Sequence, residues 1–223
     1  MSESTKLWNT IVQSKAIVEA HFYYDSNYHT PYYVDTDLFF EDPARVERVA
    51  AIMYKNLRIQ GKIDYVVTPN YRGGFLLAHH IAERLNSPVV LSRRRKGIIT
   101  LPPDRDIKGK VVIVDDGLNT GNSIKRLLEA LTRTGASVVG IGVFIERYVG
   151  DLNNFHGLVK PIISVPPDYR LIDRRITPCE LCEEYKKTLR KLEEEGEDRV
   201  SKEDYAKKEK LEPKCAYGDS EWG

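Results

Sequence analysis

Two adjacent carboxylates followed by a glycine-containing turn are the residues of this sequence best suited to chemistry. Asp115 and Asp116 follow four apolar residues, and the turn Gly117–Gly121 leads directly into a helical pattern. Glycines let the backbone turn tightly, and the first amides of a helix bind anions. Together with the hydroxyls of Thr120 and Ser123, these amides would form a phosphate cradle. The two acids would repel a polyphosphate, but they suit the hydroxyls of a sugar whose phosphate lies in the cradle beside a divalent cation.

The elements that must position these residues alternate between strand and helix. The predicted strands are the apolar runs at residues 63–67, 88–91, 111–114, 138–145 and 159–165. The predicted helices span residues 43–60, 75–85 and 123–134. Strands that alternate with helices of this length predict an α/β fold, a doubly wound and mostly parallel sheet with helices on both faces. Ligands of such sheets bind at the carboxyl ends of the strands, where Asp115 and Asp116 lie.

Composition and pattern divide the chain into three segments. Residues 1–42 are rich in aromatic residues and turn formers, residues 43–176 are the α/β core, and residues 177–223 are a charged tail with a CxxC pair. The tail is predicted to be a solvated helix, or a helical hairpin broken near Gly196, with many Glu/Lys pairs. A chain of 223 residues is long enough for one sizeable core with such an appendage.

The composition argues against several classes of function. Lys and Arg number 34 and Asp and Glu 33, a net charge of +1, which argues against coating nucleic acid or an anionic membrane through bulk charge. No apolar run approaches the roughly 18 residues that span a bilayer, and the N-terminus has no signal-peptide pattern, so we expect a cytoplasmic protein. The sequence contains no Walker A motif, which excludes a P-loop nucleotide hydrolase.

The segment Val111–Ile124 resembles the phosphoribosyl-pyrophosphate (PRPP) binding motif of type I phosphoribosyltransferases. That motif has four apolar residues, two acids, two apolar residues and a Thr/Gly-rich turn. Two positions depart from it: Gly117 stands where an aliphatic residue is usual, and Asn119 where a small residue or Thr is usual. The resemblance implies the type I phosphoribosyltransferase fold, with Asp115 and Asp116 on the ribose hydroxyls and Mg²⁺ bound through PRPP beside them. The residues implied to wrap the 5-phosphate are Asn119, Thr120, Gly121, Asn122 and Ser123.

A second loop, Thr68–Ala78, resembles the pyrophosphate loop of the same family, in which a basic residue precedes a glycine. Tyr71, Arg72, Gly73 and Gly74 carry the match, and the family often has a cis peptide bond at the position of Tyr71–Arg72. The resemblance implies that Tyr71, Arg72 and Gly73 bind PRPP and that Arg72 helps to neutralise the leaving pyrophosphate.

A run of cations follows the predicted strand at residues 88–91. Residues 93–96 are three arginines and Lys96, where the family has a mobile catalytic loop with a Lys-x-x-Lys-x-His-Gly-like stretch; this sequence has no histidine there. Two interpretations stay open. In one, the cations close over pyrophosphate and Lys96 is catalytic; in the other, they solvate the end of a strand.

The N-terminal segment resembles the hood of the orotate branch of the family. Short strands are predicted at Phe22–Tyr24 and Tyr32–Asp35 around a polar turn, and a helix follows with Asp42 as its N-cap. The resemblance implies that the hood and an arginine after the strand at 138–145 place the base. The residues expected to bind it are Tyr28, His29 and Arg147.

The three cysteines leave two interpretations open. Cys179 and Cys182 form the CxxC pair, and Cys215 lies far along the tail. Zinc sites in proteins usually have four ligands, so these three cysteines need a fourth, from His156 or a second subunit. The cysteines are therefore either three free thiols or part of a structural zinc site at Cys179, Cys182 and Cys215.

By this resemblance the chain is a glycosyltransferase of the pentosyltransferase class, closest to orotate phosphoribosyltransferase. It would transfer the 5-phosphoribosyl group from PRPP to a nucleobase, with orotate favoured, and release pyrophosphate in pyrimidine nucleotide biosynthesis. Mg²⁺ is the expected cofactor, and a homodimer without membrane or nucleic-acid partners the expected assembly. One alternative is a salvage enzyme for a purine or another base, because the hood turn is altered. Another is a non-catalytic regulator that senses PRPP, because the cationic loop is altered.

Overall fold

The computed structural model describes residues 2–25, 27–69, 72–95, 98–103, 105–195 and 201–216. The helices are α1 (Glu3–Gln13), α2 (Thr36–Phe39), α3 (Pro43–Leu57), α4 (Arg72–Leu85), α5 (Asn122–Thr134), α6 (Glu180–Glu195) and α7 (Lys202–Leu211). The strands are β1 (Ile17–Asp25), β2 (Tyr28–Val34), β3 (Tyr65–Thr68), β4 (Val89–Leu91), β5 (Arg93–Arg95), β6 (Ile98–Thr100), β7 (Gly109–Leu118), β8 (Ala136–Glu146), β9 (Val159–Ser164), β10 (Ile172–Asp173) and β11 (Lys214–Cys215). None of the described helices is both long and apolar enough to cross a membrane.

The first of two compact units, unit 1, comprises Met1–Ala16 and Asp35–Val165. Its sheet has the order β4-β3-β7-β8-β9, and every neighbouring pair is parallel. The apolar run at residues 111–114 is fully buried in β7, as expected for a strand covered on both faces. The predicted α/β fold with a mostly parallel sheet is therefore confirmed.

Several elements of unit 1 extend differently from their predicted bounds. Helix α3 has Asp42 as its N-cap and Pro43 in its first turn, as predicted, but it ends at Leu57 because Arg58 adopts a left-handed conformation. Strand β7 continues past the predicted residues 111–114, because its ladder with β8 extends to the pair Leu118 and Glu146. The longer strand includes both aspartates.

An N-terminal helix was not expected from the sequence. Ser2 caps α1 by accepting a hydrogen bond from the Thr5 amide, and Leu7 and Ile11 are buried at a spacing of four residues. This spacing is the sequence signal for the helix. The signal is weak, because it rests on two apolar positions among many polar residues. Helix α1 belongs to unit 1 and not to the hood segment in which it was placed.

Unit 2 comprises Ile17–Val34 and Pro166–Gly223. Its sheet has the order β10-β2-β1-β11, in which β1 and β2 form an antiparallel hairpin and β11 runs parallel to β1. The sequence predicts residues 1–42 and 177–223 as separate segments, whereas in the structure parts of both belong to the same compact unit. The physical reason is backbone hydrogen bonding, because late strands cover both edges of the early hairpin.

The hairpin itself is longer than predicted. The sequence predicted a polar turn over residues 25–31, but β2 starts at Tyr28 and β1 runs to Asp25. Ser26, within this connection, lies outside the described residues. In the described part of this unit, the buried apolar cluster consists of Phe22, Tyr24, Leu171 and Ala216.

Candidate functional site

Asp115 and Asp116 lie near the carboxyl end of β7, inside the strand and not in the loop after it. Although successive side chains of a strand point to opposite faces, the two carboxyls remain close enough to interact with each other. Asp115 is 3% exposed and Asp116 is half-buried. The Asp116 amide donates a hydrogen bond to Oδ1 of Asp115 at 3.0 Å. The Thr36 hydroxyl, at the start of α2, donates a short hydrogen bond to Oδ2 of Asp116.

Negative charge accumulates at this end of the sheet. Burial, together with repulsion from Asp116, raises the pKa of Asp115 well above its usual value. Burial also raises the pKa of Asp37, again with repulsion from Asp116, while Arg72 acts in the opposite direction. The Asp115 and Asp116 carboxyls, with the Asp37 carboxyl close enough to repel Asp116, supply oxygen acceptors suited to hydroxyl donors. Sequence reasoning missed Thr36 and Asp37, because neither belongs to the recognised motif.

The two glycines at the start of α4 are required by the aspartates. A Cβ on Gly73 would lie 2.6 Å from Oδ2 of Asp116, and one on Gly74 would lie 3.0 Å from Oδ1 of Asp115. Only glycine lets the first turn of α4 approach both carboxylates this closely. The amides of a helix N-terminus carry partial positive charge, so this turn is a favourable neighbour for the acids. The structure therefore brings the two predicted loops together.

Arg72 lies at the same end of the sheet with its guanidinium in solvent. Its side chain is 88% exposed, and Nη1 is 3.7 Å from Oδ2 of Asp37. An ion pair this exposed contributes little to stability, which leaves the guanidinium available for a ligand. Tyr71, and with it the expected cis peptide bond to Arg72, lies outside the described residues.

The predicted phosphate cradle is a three-residue turn from β7 into α5. Gly121 is the N-cap of α5 with φ +74°, a conformation that favours glycine. A Cβ there would lie 3.0 Å from the Phe155 ring and 3.2 Å from the Tyr148 ring. Gly121 has no side chain to cap the helix, so the first amides of α5 can receive an anion.

The side chains around this turn are polar and partly open to solvent. Asn119, Thr120 and Ser123 are half-buried, and Asn122 is exposed. The Asn122 amide donates a long hydrogen bond of 3.5 Å to the Thr120 hydroxyl. These positions are consistent with the predicted cradle.

A lysine that the sequence did not single out lies next to the turn. Lys125 is one helical turn after Gly121, and its ammonium donates a hydrogen bond of 3.2 Å to the Tyr148 hydroxyl. The ammonium also lies 5.5 Å from the centre of the Tyr148 ring and 5.9 Å from that of Phe155. The same two rings contact Gly121, so this cation stands close to the anion-binding end of α5.

The cationic segment forms a small antiparallel hairpin. Strands β5 and β6 pair Arg93 with Thr100, and Ile99 is buried in the apolar core of unit 1. The segment is thus anchored at Ile99. Lys96, the residue expected to be catalytic, lies outside the described residues, and so does Gly97.

Arg147 directly follows β8. Its amide donates a hydrogen bond of 2.9 Å to the Leu118 carbonyl, which joins the carboxyl ends of β8 and β7. Its side chain is 2% exposed, so the guanidinium predicted to contact a base is buried in this structure.

The two base-binding residues predicted in the hood have other partners in unit 2. His29 is 5% exposed, and its Nδ1 lies 2.8 Å from Nε2 of His21. The predicted base-binding role of His29 does not fit this buried position. The Tyr28 hydroxyl accepts a hydrogen bond of 2.7 Å from Arg175, whose guanidinium also lies 5.2 Å from the centre of the tyrosine ring.

The CxxC pair is completed by histidines and not by the third cysteine. Among the described residues, His21, His29, Cys179 and Cys182 form a buried group whose ligand atoms all lie within 4.8 Å of one another. Cys215 is outside this group and pairs with Tyr23 along β1. The predicted set of Cys179, Cys182 and Cys215 is therefore not the one that the fold assembles.

A family model described as a phosphoribosyl transferase domain matches residues 36–156, more than half of the chain. The chain belongs to this family. Among its relatives, orotate phosphoribosyltransferase 2 of Mesorhizobium japonicum is 32% identical over 141 residues, which cover 62% of this chain and 73% of the relative. The predicted family, closest to its orotate branch, is confirmed.

Solved structures match the same region of the fold. The orotate phosphoribosyltransferase from Aeropyrum pernix matches with a TM-score of 0.59 and 23% identity, over 71% of this chain and 93% of that one. An adenine phosphoribosyltransferase from Rhodothermus marinus matches with a TM-score of 0.55 and 19% identity, over 72% and 99%. At these identities the likeness shows the fold alone. The sequence relatives favour an orotate-type function over purine salvage.

Proposed function

We propose that this chain is an orotate phosphoribosyltransferase, which transfers the 5-phosphoribosyl group of PRPP to orotate and releases pyrophosphate. One observation carries the proposal. The Asp115 and Asp116 carboxyls lie against the glycine turn of α4, and the start of α5, which has no side-chain cap, follows them a few residues later in the chain. This arrangement offers acceptors for sugar hydroxyls and donors for phosphate within one short stretch of chain.

Sugar and phosphate would be held by different groups. Ribose hydroxyls donate to the carboxylates of Asp115 and Asp116, which as anions accept strong hydrogen bonds. The 5-phosphate binds the amides and hydroxyls of the turn at residues 119–123, where the positive end of the α5 dipole favours an anion. Lys125 adds a cation beside that turn.

The acidic residues also fit a magnesium ion carried by PRPP. Carboxylates are hard oxygen ligands for magnesium. Burial, and after it repulsion from Asp116, raises the pKa values of Asp37 and Asp115, and a divalent cation nearby would relieve the repulsive part. Magnesium would be held through PRPP oxygens beside Asp115 and Asp116, and it would supply neutralisation of the pyrophosphate charge.

The chain's own residues would promote the transfer by electrostatics. The bond between the ribose C1 and pyrophosphate breaks with its electron pair on pyrophosphate, and a ring nitrogen of the base bonds to C1 and loses its proton. The guanidinium of Arg72 can stabilise the charge on the departing pyrophosphate, and Lys96 and Tyr71 are proposed to assist it. Arg147, whose guanidinium is buried in this structure, is not assigned a contact with orotate. No covalent intermediate on the protein is needed.

The test is an assay of pyrophosphate release with PRPP and Mg²⁺ in the presence of orotate, uracil, adenine, guanine, hypoxanthine or xanthine. We expect release with orotate. Release with a purine alone would support a salvage enzyme, and PRPP binding without release on any base would support a PRPP sensor. The double variant Asp115→Asn with Asp116→Asn should lose turnover and PRPP binding. Asp106→Asn, at an exposed aspartate paired with Lys108, is the matched control and should retain both.

The assembly state is part of the same proposal. We propose a homodimer, because the family resemblance that identified the site implies one. Sedimentation equilibrium of the purified chain should give twice the mass of 25.6 kDa. A monomer that turns over orotate would refute the proposed homodimer and leave the proposed activity standing.

A further inference from the structure

The buried Cys/His group of unit 2 has no role in the transfer described above. It consists of His21 on β1, His29 on β2, Cys179 just before α6 and Cys182 in its first turn. We propose that these four residues bind one structural zinc ion, which joins the early hairpin to the late helical segment. This proposal does not depend on the orotate assignment.

The distances between sulfur and nitrogen atoms of the group match a tetrahedral site. Zinc lies about 2.3 Å from a thiolate sulfur and about 2.0–2.1 Å from an imidazole nitrogen, so neighbouring sulfur and nitrogen ligands are about 3.6 Å apart. Nε2 of His21 is 3.6 Å from the sulfurs of both Cys179 and Cys182, and Nδ1 of His29 is 3.3 Å from that of Cys182. The two imidazole nitrogens are 2.8 Å apart, somewhat closer than two zinc ligands.

Hydrogen bonds within the group do not explain why three of its atoms approach the same nitrogen, Nε2 of His21. Nδ1 of His21 lies 2.9 Å from the Leu211 carbonyl oxygen, which can only accept, so Nδ1 carries a proton. In a neutral imidazole, Nε2 then has a single lone pair. His29, Cys179 and Cys182 all approach that lone pair, and a hydrogen bond can satisfy only one of them. A cation at the centre satisfies all four ligand atoms together.

The hydrogen bond from His21 to the Leu211 carbonyl supports the same conclusion. Zinc-binding histidines usually donate their other ring N–H to a carbonyl or carboxylate, which fixes the orientation and tautomer of the ring. His21 makes such a contact with Leu211, the last residue of α7. The ring is thereby aligned with Nε2 directed at the cysteines.

The ligand set predicts a structural ion and not a catalytic one. All four residues are buried, and four protein ligands leave no position for water or substrate. Two thiolates and two neutral imidazoles balance the charge of Zn²⁺, so the site is neutral inside the protein. The two-residue spacing of the cysteines at a helix start is typical of structural zinc sites.

The unit gains from such an ion because its described apolar cluster is small. Phe22, Tyr24, Leu171 and Ala216 form that cluster. Small units with little apolar surface to bury are commonly stabilised by a metal or by disulfides. The CxxC pair and the histidines are far apart in sequence, so the ion would close a long loop.

The test measures the metal content of the full chain, expressed with zinc in the medium and purified without chelator. Mass spectrometry of the metal should give about one zinc per chain for the wild type and for Cys215→Ser, the matched control at a thiol outside the group. Cys182→Ser should lose most of that zinc. Wild-type protein without zinc, or Cys182→Ser with a full equivalent, would overturn the proposal.

A spectroscopic measurement covers the case in which Cys182→Ser fails to fold. Wild-type protein exchanged with Co²⁺ should have the visible bands of a tetrahedral site with thiolate ligands, and Cys215→Ser should keep them. A spectrum of octahedral Co²⁺ without thiolate charge transfer would refute the proposed ligand set.

Discussion

The two compact units of this chain are stabilised in different ways. Unit 1 has a five-stranded parallel sheet whose central strands are buried on both faces. Unit 2 has a four-stranded sheet with two-residue strands at both edges, a small described apolar cluster and a buried group of cysteines and histidines. Apolar burial is the dominant favourable term in folding, so unit 1 can rely on it while unit 2 needs another source of stability. The proposed PRPP site therefore belongs to the unit that has the larger apolar core.

Removal of the proposed zinc is expected to give the largest difference in amide exchange between the two units. With metal removed by a strong chelator, amide exchange in β1 and β2 should accelerate by about 100-fold or more, the equivalent of about 2.7 kcal/mol. Exchange in β7 and β8 of the same sample should not change, because unit 1 contains none of the four ligands. Unchanged protection of β1 and β2 in metal-free protein would show that strand pairing alone stabilises unit 2.

Matched leucine truncations sharpen the comparison of the two apolar clusters. Leu131 is fully buried in the unit 1 core, and Leu171 belongs to the small cluster of unit 2. Leu131→Ala should destabilise its own unit by about 3–5 kcal/mol, and Leu171→Ala by about 2 kcal/mol or less, because a small cluster collapses more easily around a cavity. Amide exchange resolved by unit measures both. Equal losses of unfolding free energy for the two variants would show that the two clusters are equally well packed.

Glycine substitutions test the close approach of α4 to the aspartates. In an ordinary helix Gly→Ala is stabilising by about 1 kcal/mol. At Gly73 the expected effect is on the site: Gly73→Ala should weaken PRPP binding by about 10-fold or more, since the new methyl displaces the Asp116 carboxylate. The control is Gly140→Ala in β8, outside the proposed site, where the nearest atom to a new Cβ is a side-chain carbon of Leu57 at 3.2 Å. Titration calorimetry with PRPP and Mg²⁺ measures both; equal affinities for the two variants would count against the α4 contact.

The smallest expected effect is on the pH dependence of unit 1. Because burial raises the pKa of Asp115, the folded state binds its proton more tightly than the unfolded state. The contribution of Asp115 to stability is therefore greatest at low pH and falls as pH rises from the ordinary aspartate pKa through the raised one. Asp115→Asn removes this fall, so its Tm at neutral pH should exceed that of the wild type even though PRPP binding is lost. Calorimetry from acid to neutral pH checks this; an unchanged or lower Tm at neutral pH would contradict it.

The sequence predicted the parts of the molecule in which local pattern and tertiary structure agree. Strands β7 and β8 each contain a continuous apolar run, and Asp42 and Pro43 mark the start of α3. The PRPP motif could be recognised because its residues are consecutive.

What the sequence did not predict depends on pairing between distant residues. Strands β10 and β11 have two residues each, too few for any periodicity. His21 and His29 are placed beside the CxxC pair by strand pairing and by the packing of α6, so Cys215 was chosen in their place. The N-terminal hairpin could have suggested them, since His21 directly precedes its predicted first strand and His29 lies in its predicted turn.

The pairing of β11 with β1 has a consequence for the order of events during synthesis. The ribosome makes the hairpin first, yet the strands that cover its edges are among the last residues described. At about 5–20 residues per second, the hairpin remains without them for on the order of ten seconds or more, while the whole of Asp35–Val165 emerges. Ribosome-bound chains stalled soon after unit 1 has left the exit tunnel should therefore resist protease in β7 and β8 and be cleaved in β1 and β2.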